Sequence, residues 1–198
     1  TLGRNEALDE QFDLNWCARH QIPILRRTTG GRAVLHGGDV TYSVVGGVGD
    51  PQFGCGPVET YEFLAQGFYR FFEEVGLQPY IQQRRPAKQN PSHVCFSEPA
   101  AYEILLQGKK IIGNAQRIVA SRRHAPHEPR ARSFLQHGSI PLNDQIPMLA
   151  GIFRNATAAQ LRREMTSLEA TGCLSRFSLR ELRELFLESL AQTYGIRW

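Results

Sequence analysis

Arg26-Arg-Thr-Thr-Gly-Gly-Arg-Ala-Val-Leu-His36 is the most informative segment of this 198-residue chain. Its two adjacent glycines, Gly30 and Gly31, follow a short apolar run and let the backbone approach a ligand closely with its amides pointing at it. Most Gly-Gly pairs are simply turns, but here three arginines and a histidine surround them. The segment therefore predicts a site for a carbonyl or phosphate group.

The residues around this segment predict β-structure. Residues 33–36 and 40–45 are rich in β-branched and aromatic side chains, and residues 37–39 read Gly-Gly-Asp, which indicates a strand, a turn and a second strand. A hairpin around Gly108 is predicted from residues 101–106 and 110–112. Residues 134–142 predict a further strand, and the basic residues 117–132 predict a loop.

The remaining segments have helical signals. Apolar residues recur at steps of three and four over residues 58–75, which Gly76 follows, and residues 157–165 form a second candidate. Ser178 and Glu181 have the spacing of a capping box in front of an apolar stripe. The chain is thus predicted to be α+β. We expect a mixed-sheet catalytic body over residues 1–145 and a helical C-terminal part of the same domain over residues 146–198.

Two further segments contain candidate catalytic groups. Cys95 lies in Val-Cys-Phe, and Lys110 lies in Gly108-Lys-Lys-Ile-Ile-Gly-Asn-Ala-Gln116. Cysteine attacks as the thiolate, which a nearby ammonium stabilises, and a lysine can also donate to the oxyanion of an acyl transfer. His137 lies in a third segment, Gln-His-Gly-Ser. Taken separately, a cysteine in an apolar run and a histidine in a strand are more typical of a protein core.

Taken together, the three ordered segments resemble the biotin/lipoate protein ligase and lipoyl transferase superfamily. The resemblance implies the catalytic-domain fold of that superfamily, with helices flanking the sheet. The Val-Cys-Phe sequence is similar to that of the LipM-type octanoyltransferases, whereas the ATP-dependent lipoate ligases need no cysteine nucleophile. Lys110 matches the lysine that lowers the pKa of the thiol in that family.

This resemblance implies a reaction, its residues and its partners. Cys95 would take octanoate from octanoyl-acyl carrier protein as a thioester and pass it to a lysine of a lipoyl domain or of the glycine-cleavage H protein, with Lys110 serving both half-reactions. Because the donor is already activated, neither ATP nor a metal is required. The acyl group would be bound by Arg27, Gly30, Gly31, Arg32, His36, Gly113, Asn114, Ala115, His137 and Gly138.

The chain departs from the family pattern in three places. The family usually has Gly-Ser-Ala where this chain has Gly-Asn-Ala, and residues 117–132 are longer than the usual turn. The sequence aligns best just after an N-terminal strand and helix that family members usually have. We therefore expect roughly forty residues of the body to be missing, a figure based on usual domain size.

Composition narrows the other possibilities. The net charge of +4 is compatible with an acidic protein partner, but no nucleic-acid-reading motif is present, and no apolar stretch approaches the length of a membrane span. The four cysteines are widely separated, which argues against a zinc site. No signal-peptide pattern is visible, so we expect free thiols and a cytoplasmic location. Two alternative functions remain open: an ATP-dependent lipoate ligase or lipoyl amidotransferase, and a non-catalytic acyl- or partner-binding relative.

Overall fold

The computed structural model describes residues 1–50, 53–54, 56–83, 102–121 and 131–197. Within them, six helices and six strands follow one another along the chain. They are α1 (Leu14–Arg19), β1 (Asp39–Gly47), α2 (Pro57–Glu74), β2 (Pro79–Gln82), β3 (Glu103–Leu106), β4 (Lys109–Lys110), β5 (Gly113–Ala120), β6 (Arg132–Pro141), α3 (Ile146–Ile152), α4 (Ala158–Glu164), α5 (Cys173–Arg176) and α6 (Leu179–Tyr194).

The strands form two antiparallel sheets, in the orders β1-β6-β5 and β2-β3-β4. Among the described residues, the parallel contacts expected of a mixed sheet are limited to isolated bridges, such as the one between Leu2 and Arg26. In the described part of the chain β1 pairs with β6 alone. Its other edge and α6 border an apolar groove of about 620 Å³.

Helix α2 confirms the prediction made for residues 58–75. Pro57 occupies its first turn, where a missing N–H costs nothing, and Gly76 adopts φ +78° just beyond its end. The buried face of the helix joins α6 and the larger sheet in the main core, with Phe68 fully buried beneath Tyr42 of β1. These helices cover one face of the larger sheet.

Helix α6 begins as the sequence predicts. The Ser178 hydroxyl accepts from the Glu181 amide, and the Glu181 carboxylate accepts from the Ser178 amide at 2.8 Å, so both halves of the capping box form. The helix ends at Gly195, whose φ is +65°. No helix in the described residues is both long and apolar enough to cross a membrane.

The β3–β4 hairpin is also confirmed. Gln107 and Gly108 connect the two strands, and both have positive φ, +51° and +74°, as a two-residue turn of the favoured twist requires. The α+β class and the strand at residues 134–142 are likewise confirmed, the latter as part of β6.

Two of the local predictions are wrong. Residues 33–36 lie outside the regular strands, so the first strand of the expected pair is replaced by irregular backbone. Residues 117–120 continue β5 and Arg132 begins β6, so the expected loop is shorter at both ends. Pairing with the neighbouring strand supplies the backbone hydrogen bonds that keep this basic segment extended. Residues 122–130 lie outside the described residues.

Candidate functional site

The glycine segment is held in shape by Arg27. Its guanidinium donates to the carbonyl oxygens of Gly30 at 2.8 Å and Arg32 at 2.7 Å, and to the Thr29 hydroxyl at 3.2 Å. Gly31 has φ +91°, and a Cβ there would lie 2.8 Å from the Arg27 Nη2 atom. Because a side chain at residue 31 would be strained and would displace the guanidinium, glycine is required at this position.

His137 connects this segment to the larger sheet. The His137 Nε2 atom lies 2.6 Å from the hydroxyl of Thr29, which is fully buried. Partial burial lowers the pKa of His137, and the nearby Arg27 and His36 lower it further. His137 is therefore a neutral imidazole near pH 7, suited to hydrogen bonding rather than to carrying charge.

His36, Asp39 and Ser139 form a second polar group beside it. The Asp39 Oδ2 atom lies 2.7 Å from His36 Nδ1 and accepts from the Ser139 hydroxyl at 2.7 Å, while Oδ1 accepts from the Gly37 amide at 3.0 Å. Burial alone would raise the pKa of Asp39, but these hydrogen bonds outweigh it and lower the pKa. The carboxylate therefore stays ionised and fixes the orientation of the His36 ring.

These groups border a cleft of about 60 Å³. Seven of the residues predicted to bind the acyl group line it, and Gly30, Gly31 and Arg32 form the segment that Arg27 holds beside it. Behind the same segment lies an apolar cavity of about 170 Å³, which shares Thr1, Val34 and His36 with the cleft. The seven predicted lining residues are Arg27, His36, Gly113, Asn114, Ala115, His137 and Gly138.

Strand alternation divides these residues between the two faces of the sheet. Ala115 is paired with His137, and Asn114 is paired with Gly138, so each pair shares a face and the two pairs point to opposite faces. The Asn114 side chain lies on the helix-covered face, where its Oδ1 atom accepts from the Tyr42 hydroxyl. Burial raises the pKa of Tyr42 well above its usual value, so the phenol remains a donor.

Because Gly138 has no side chain, Tyr42 and Asn114 can approach each other beside it. A Cβ there would lie 2.6 Å from the Tyr42 ring, 2.7 Å from Asn114 Oδ1, and in direct collision with the Gly113 carbonyl oxygen. We expect Gly138→Ala to lower the free energy of unfolding by about 1–3 kcal/mol, because backbone of the adjacent strand must move. Urea denaturation measures this change.

Gly47→Ala is the matched control for this prediction, since it adds the same methyl group to a strand where no atom lies within 4 Å. Its free energy of unfolding should equal that of the wild type or exceed it slightly. If the two variants are equally stable, Gly138 is not needed for packing.

Lys110 lies in the smaller sheet and is almost fully buried. Its ammonium donates to Glu103 Oε1 at 2.7 Å, and the two side chains are 1% and 4% exposed. The hairpin brings these two residues together, because Glu103 begins β3 and Lys110 ends β4. A buried ammonium needs such a partner to remain charged.

Sequence reasoning missed Glu103, Thr29 and Tyr42. One available signal was the glutamate itself, since a charged residue inside the apolar run Tyr-Glu-Ile-Leu-Leu suggests a buried partner. Cys95 lies outside the described residues, whereas Cys17 and Cys173 are buried free thiols. Within the described part of the chain, no three His, Cys, Asp or Glu side chains come close enough together to hold a metal ion.

Comparison with known proteins relates the chain to a family. Residues 1–191 match the lipoyl protein ligase A/B catalytic domain. The chain is 34% identical over 155 residues to the octanoyltransferase LipM of Oceanobacillus iheyensis, covering 78% of this chain and 52% of that protein. It is 36% identical over 149 residues to the LipM of an Exiguobacterium species, covering 72% and 50%. The chain thus spans about half the length of these curated relatives.

Solved structures show the same fold. A crystal structure of lipoate-protein ligase A bound with ATP superposes with a TM-score of 0.69 at 21% identity, covering 98% of this chain and 68% of the other. A lipoate protein ligase homologue from T. acidophilum, described as putative, gives the same TM-score at 19% identity, covering 99% and 68%. At these identities the likeness concerns the fold alone.

Proposed function

Because the chain belongs to the lipoyl protein ligase A/B catalytic domain family, we propose that it is an octanoyltransferase that acts through a cysteine thioester. The observation that carries the proposal is Cys95, set in Val-Cys-Phe ahead of the lysine segment of a chain similar to LipM octanoyltransferases. Cysteine is the most nucleophilic common side chain, and an acyl-thioester intermediate needs one. Octanoyl-acyl carrier protein is the proposed donor, and a lipoyl domain or H protein the acceptor.

Lys110 is proposed to assist Cys95 through a directed hydrogen bond. The ammonium has three N–H bonds, one of which is aimed at Glu103. Since the Glu103–Lys110 pair carries no net charge, its effect on a thiolate or an oxyanion depends on where an N–H points. A rigid, water-excluded donor of this kind is worth more than an exposed lysine because it needs no reorganisation during the reaction.

The cleft supports acyl chemistry through its neutral donors and acceptors. His137, held by Thr29, and the segment braced by Arg27 surround a space that suits a carbonyl group better than a whole acyl chain. An apolar chain of eight carbons needs further room, and the adjoining apolar cavity of about 170 Å³ could receive part of it. No ATP or metal enters this scheme, since the donor thioester is already activated.

Intact-protein mass spectrometry tests the proposal. Incubation with octanoyl-acyl carrier protein, without ATP or magnesium, should add the mass of one octanoyl group, and peptide mapping should place it on Cys95. The same protein incubated with free octanoate or lipoate, ATP and magnesium should gain no mass and form no acyl-adenylate.

The alternatives predict different results in these two reactions. Adenylate formation from free lipoate without acylation of Cys95 would establish the ligase. Binding of the acyl carrier thioester with neither reaction would identify a non-catalytic relative. Either result contradicts the octanoyltransferase.

A further inference from the structure

Charge is divided unevenly between the two sides of the larger sheet. Helices α2 and α6, which cover one face, carry seven glutamates and three arginines, and the glutamates are at the surface. The glycine segment lies against the other face, where Thr29 contacts His137. Residues 20–38, which include this segment, contain three arginines and no acidic residue. The helical side is therefore acidic, and the opposite side is basic.

Arg117 of β5 adds a fourth guanidinium to the basic side. The Asn114 side chain lies on the helix-covered face, so Arg117, three residues further along the strand, points to the opposite face. There its Nη1 atom donates to the Thr28 carbonyl oxygen at 3.2 Å, and the residue is partly exposed. Because a guanidinium has five N–H groups, Arg117 can bind an anion while this contact is kept.

The other three guanidinium groups belong to the glycine segment. Arg26 is exposed, and its Nη1 atom donates to the carbonyl oxygens of Gly3 and Glu6, both at 2.7 Å. Arg27 and Arg32 are half-buried in the same segment. Backbone carbonyl oxygens are neutral, so these contacts orient the groups without cancelling their charge. The four residues Arg26, Arg27, Arg32 and Arg117 form what we call the basic surface.

Two carboxylates lie close to the basic surface, but both are turned away from solvent. The Asp39 side chain is 6% exposed and is bound by His36 and Ser139. The Glu6 Oε1 atom is buried, and its Oε2 atom accepts from the Gly3 amide at 3.1 Å. A molecule that approaches this side from solvent therefore meets the arginines first.

A surface of this kind suits an acidic protein. Its positive potential speeds the approach of a negatively charged partner, and the acidic helical side repels the same partner, so the encounter is also oriented. Nucleic acid fits less well, because sites for single strands combine basic groups with exposed aromatic side chains. In residues 20–38 and in β5 and β6, Phe134 is the one Phe, Tyr or Trp, and it is buried.

We propose that the basic surface is the docking site of an acidic carrier protein, and the identity of this partner as the octanoyl donor rests on the proposed function. Acidic side chains of the carrier form ion pairs with Arg26 and Arg117, the two arginines that the segment and the strand present to solvent. Exposed pairs at the rim of an interface act mainly on the encounter, so they set the association rate and its dependence on salt.

Binding of acyl carrier protein to the intact protein tests the proposal. The carrier is used without an octanoyl group, so that no reaction accompanies binding, and stopped-flow fluorescence gives the association rate. For Arg117→Glu at low salt we expect Kd to rise about fivefold or more, chiefly through slower association. Arg117→Lys, which keeps the charge, should restore most of the affinity.

Two controls distinguish a charge effect from a structural one. Arg183→Glu makes the same change at an exposed residue of α6, on the acidic side, and should bind the carrier as the wild type does. Salt is the second control, because it screens charges but does not repair a distorted segment. The affinities of Arg117→Glu and the wild type should therefore converge at about 0.5 M salt. Equal losses in Arg183→Glu and Arg117→Glu contradict a localised surface.

The outcomes separate this inference from the function it rests on. Wild-type protein that binds the carrier but forms no octanoyl-Cys95 from octanoyl-acyl carrier protein contradicts the proposed function and leaves the docking surface. A Kd of Arg117→Glu within about twofold of the wild-type value at low salt overturns the inference. Tighter binding of a single-stranded oligonucleotide than of the carrier overturns it as well.

Should Arg117→Glu fail to fold, the wild type alone decides. Its association rate with the carrier should fall about tenfold or more between about 0.02 M and 0.5 M salt. A rate that salt leaves unchanged, or no binding at low salt, overturns the inference.

Discussion

Replacing Cys95 by serine is expected to eliminate the acyl-enzyme and to slow octanoyl transfer by at least about 10³-fold. A thiol is partly ionised near neutral pH, whereas a serine hydroxyl needs a strong general base to attack a thioester. Mass spectrometry should detect no covalent octanoyl group on the variant after incubation with octanoyl-acyl carrier protein. Transfer to the lipoyl domain should fall to the rate of the uncatalysed reaction.

Cys173→Ala is the matched control, since this thiol is buried in the main apolar cluster and lines neither the cleft nor the apolar cavity beside it. The Cys173→Ala variant should lose some stability and still acquire one octanoyl group. If Cys95→Ser transfers octanoate at a rate near that of the wild type, the thioester mechanism is wrong. Loss of acylation in a folded Cys173→Ala variant would likewise contradict Cys95 as the sole nucleophile.

Glu103→Ala is expected to lower the free energy of unfolding by about 3–5 kcal/mol. The carboxylate lies 2.7 Å from the Lys110 ammonium, and both side chains are buried, so its removal takes away the counter-charge of a buried cation. Urea denaturation followed by circular dichroism measures the loss. Local opening of the hairpin would then expose the Lys110 ammonium to water.

The double variant Glu103→Leu with Lys110→Met tests this reason directly. Removing both charges together should restore most of the stability, because no buried charge remains unpaired. Octanoyl transfer should nevertheless remain about 10²–10³-fold slower than in the wild type, since the proposed hydrogen-bond donor, the Lys110 ammonium, is gone. A single Glu103→Ala variant that loses less than about 1 kcal/mol would show that the pair is not a buried ion pair in solution.

The fold elements that sequence reasoning identified are those whose signals are local. Helix α2 follows from apolar residues at helical spacing between Pro57 and Gly76, and the start of α6 follows from Ser178 and Glu181. The hairpin at Gly108 likewise depends on two turn residues. Each of these signals acts within a few residues, so a single sequence contains all of it.

Elements that depend on distant partners were missed or misjudged. Helix α1 has only six residues and is held by its Asp13 cap and by packing against α3. Residues 117–120 have a basic, loop-like composition, yet they are strand because β6 lies beside them. Such short or polar segments obtain their hydrogen bonds and buried surface from neighbours far away in sequence.

The features of the candidate site likewise divide into those that the sequence contains and those that depend on distant partners. Residue types, order and spacing were sufficient to assign the chain to its family, because these features are properties of the chain itself. The roles of Cys95 and Lys110 stay predictions. Only the tertiary structure placed Thr29 against His137, which is 108 residues away, and Glu103 against Lys110. It also put Asn114 and its neighbour Ala115 on opposite faces of β5, because successive strand residues alternate and the long-range pairing decides which face the helices cover.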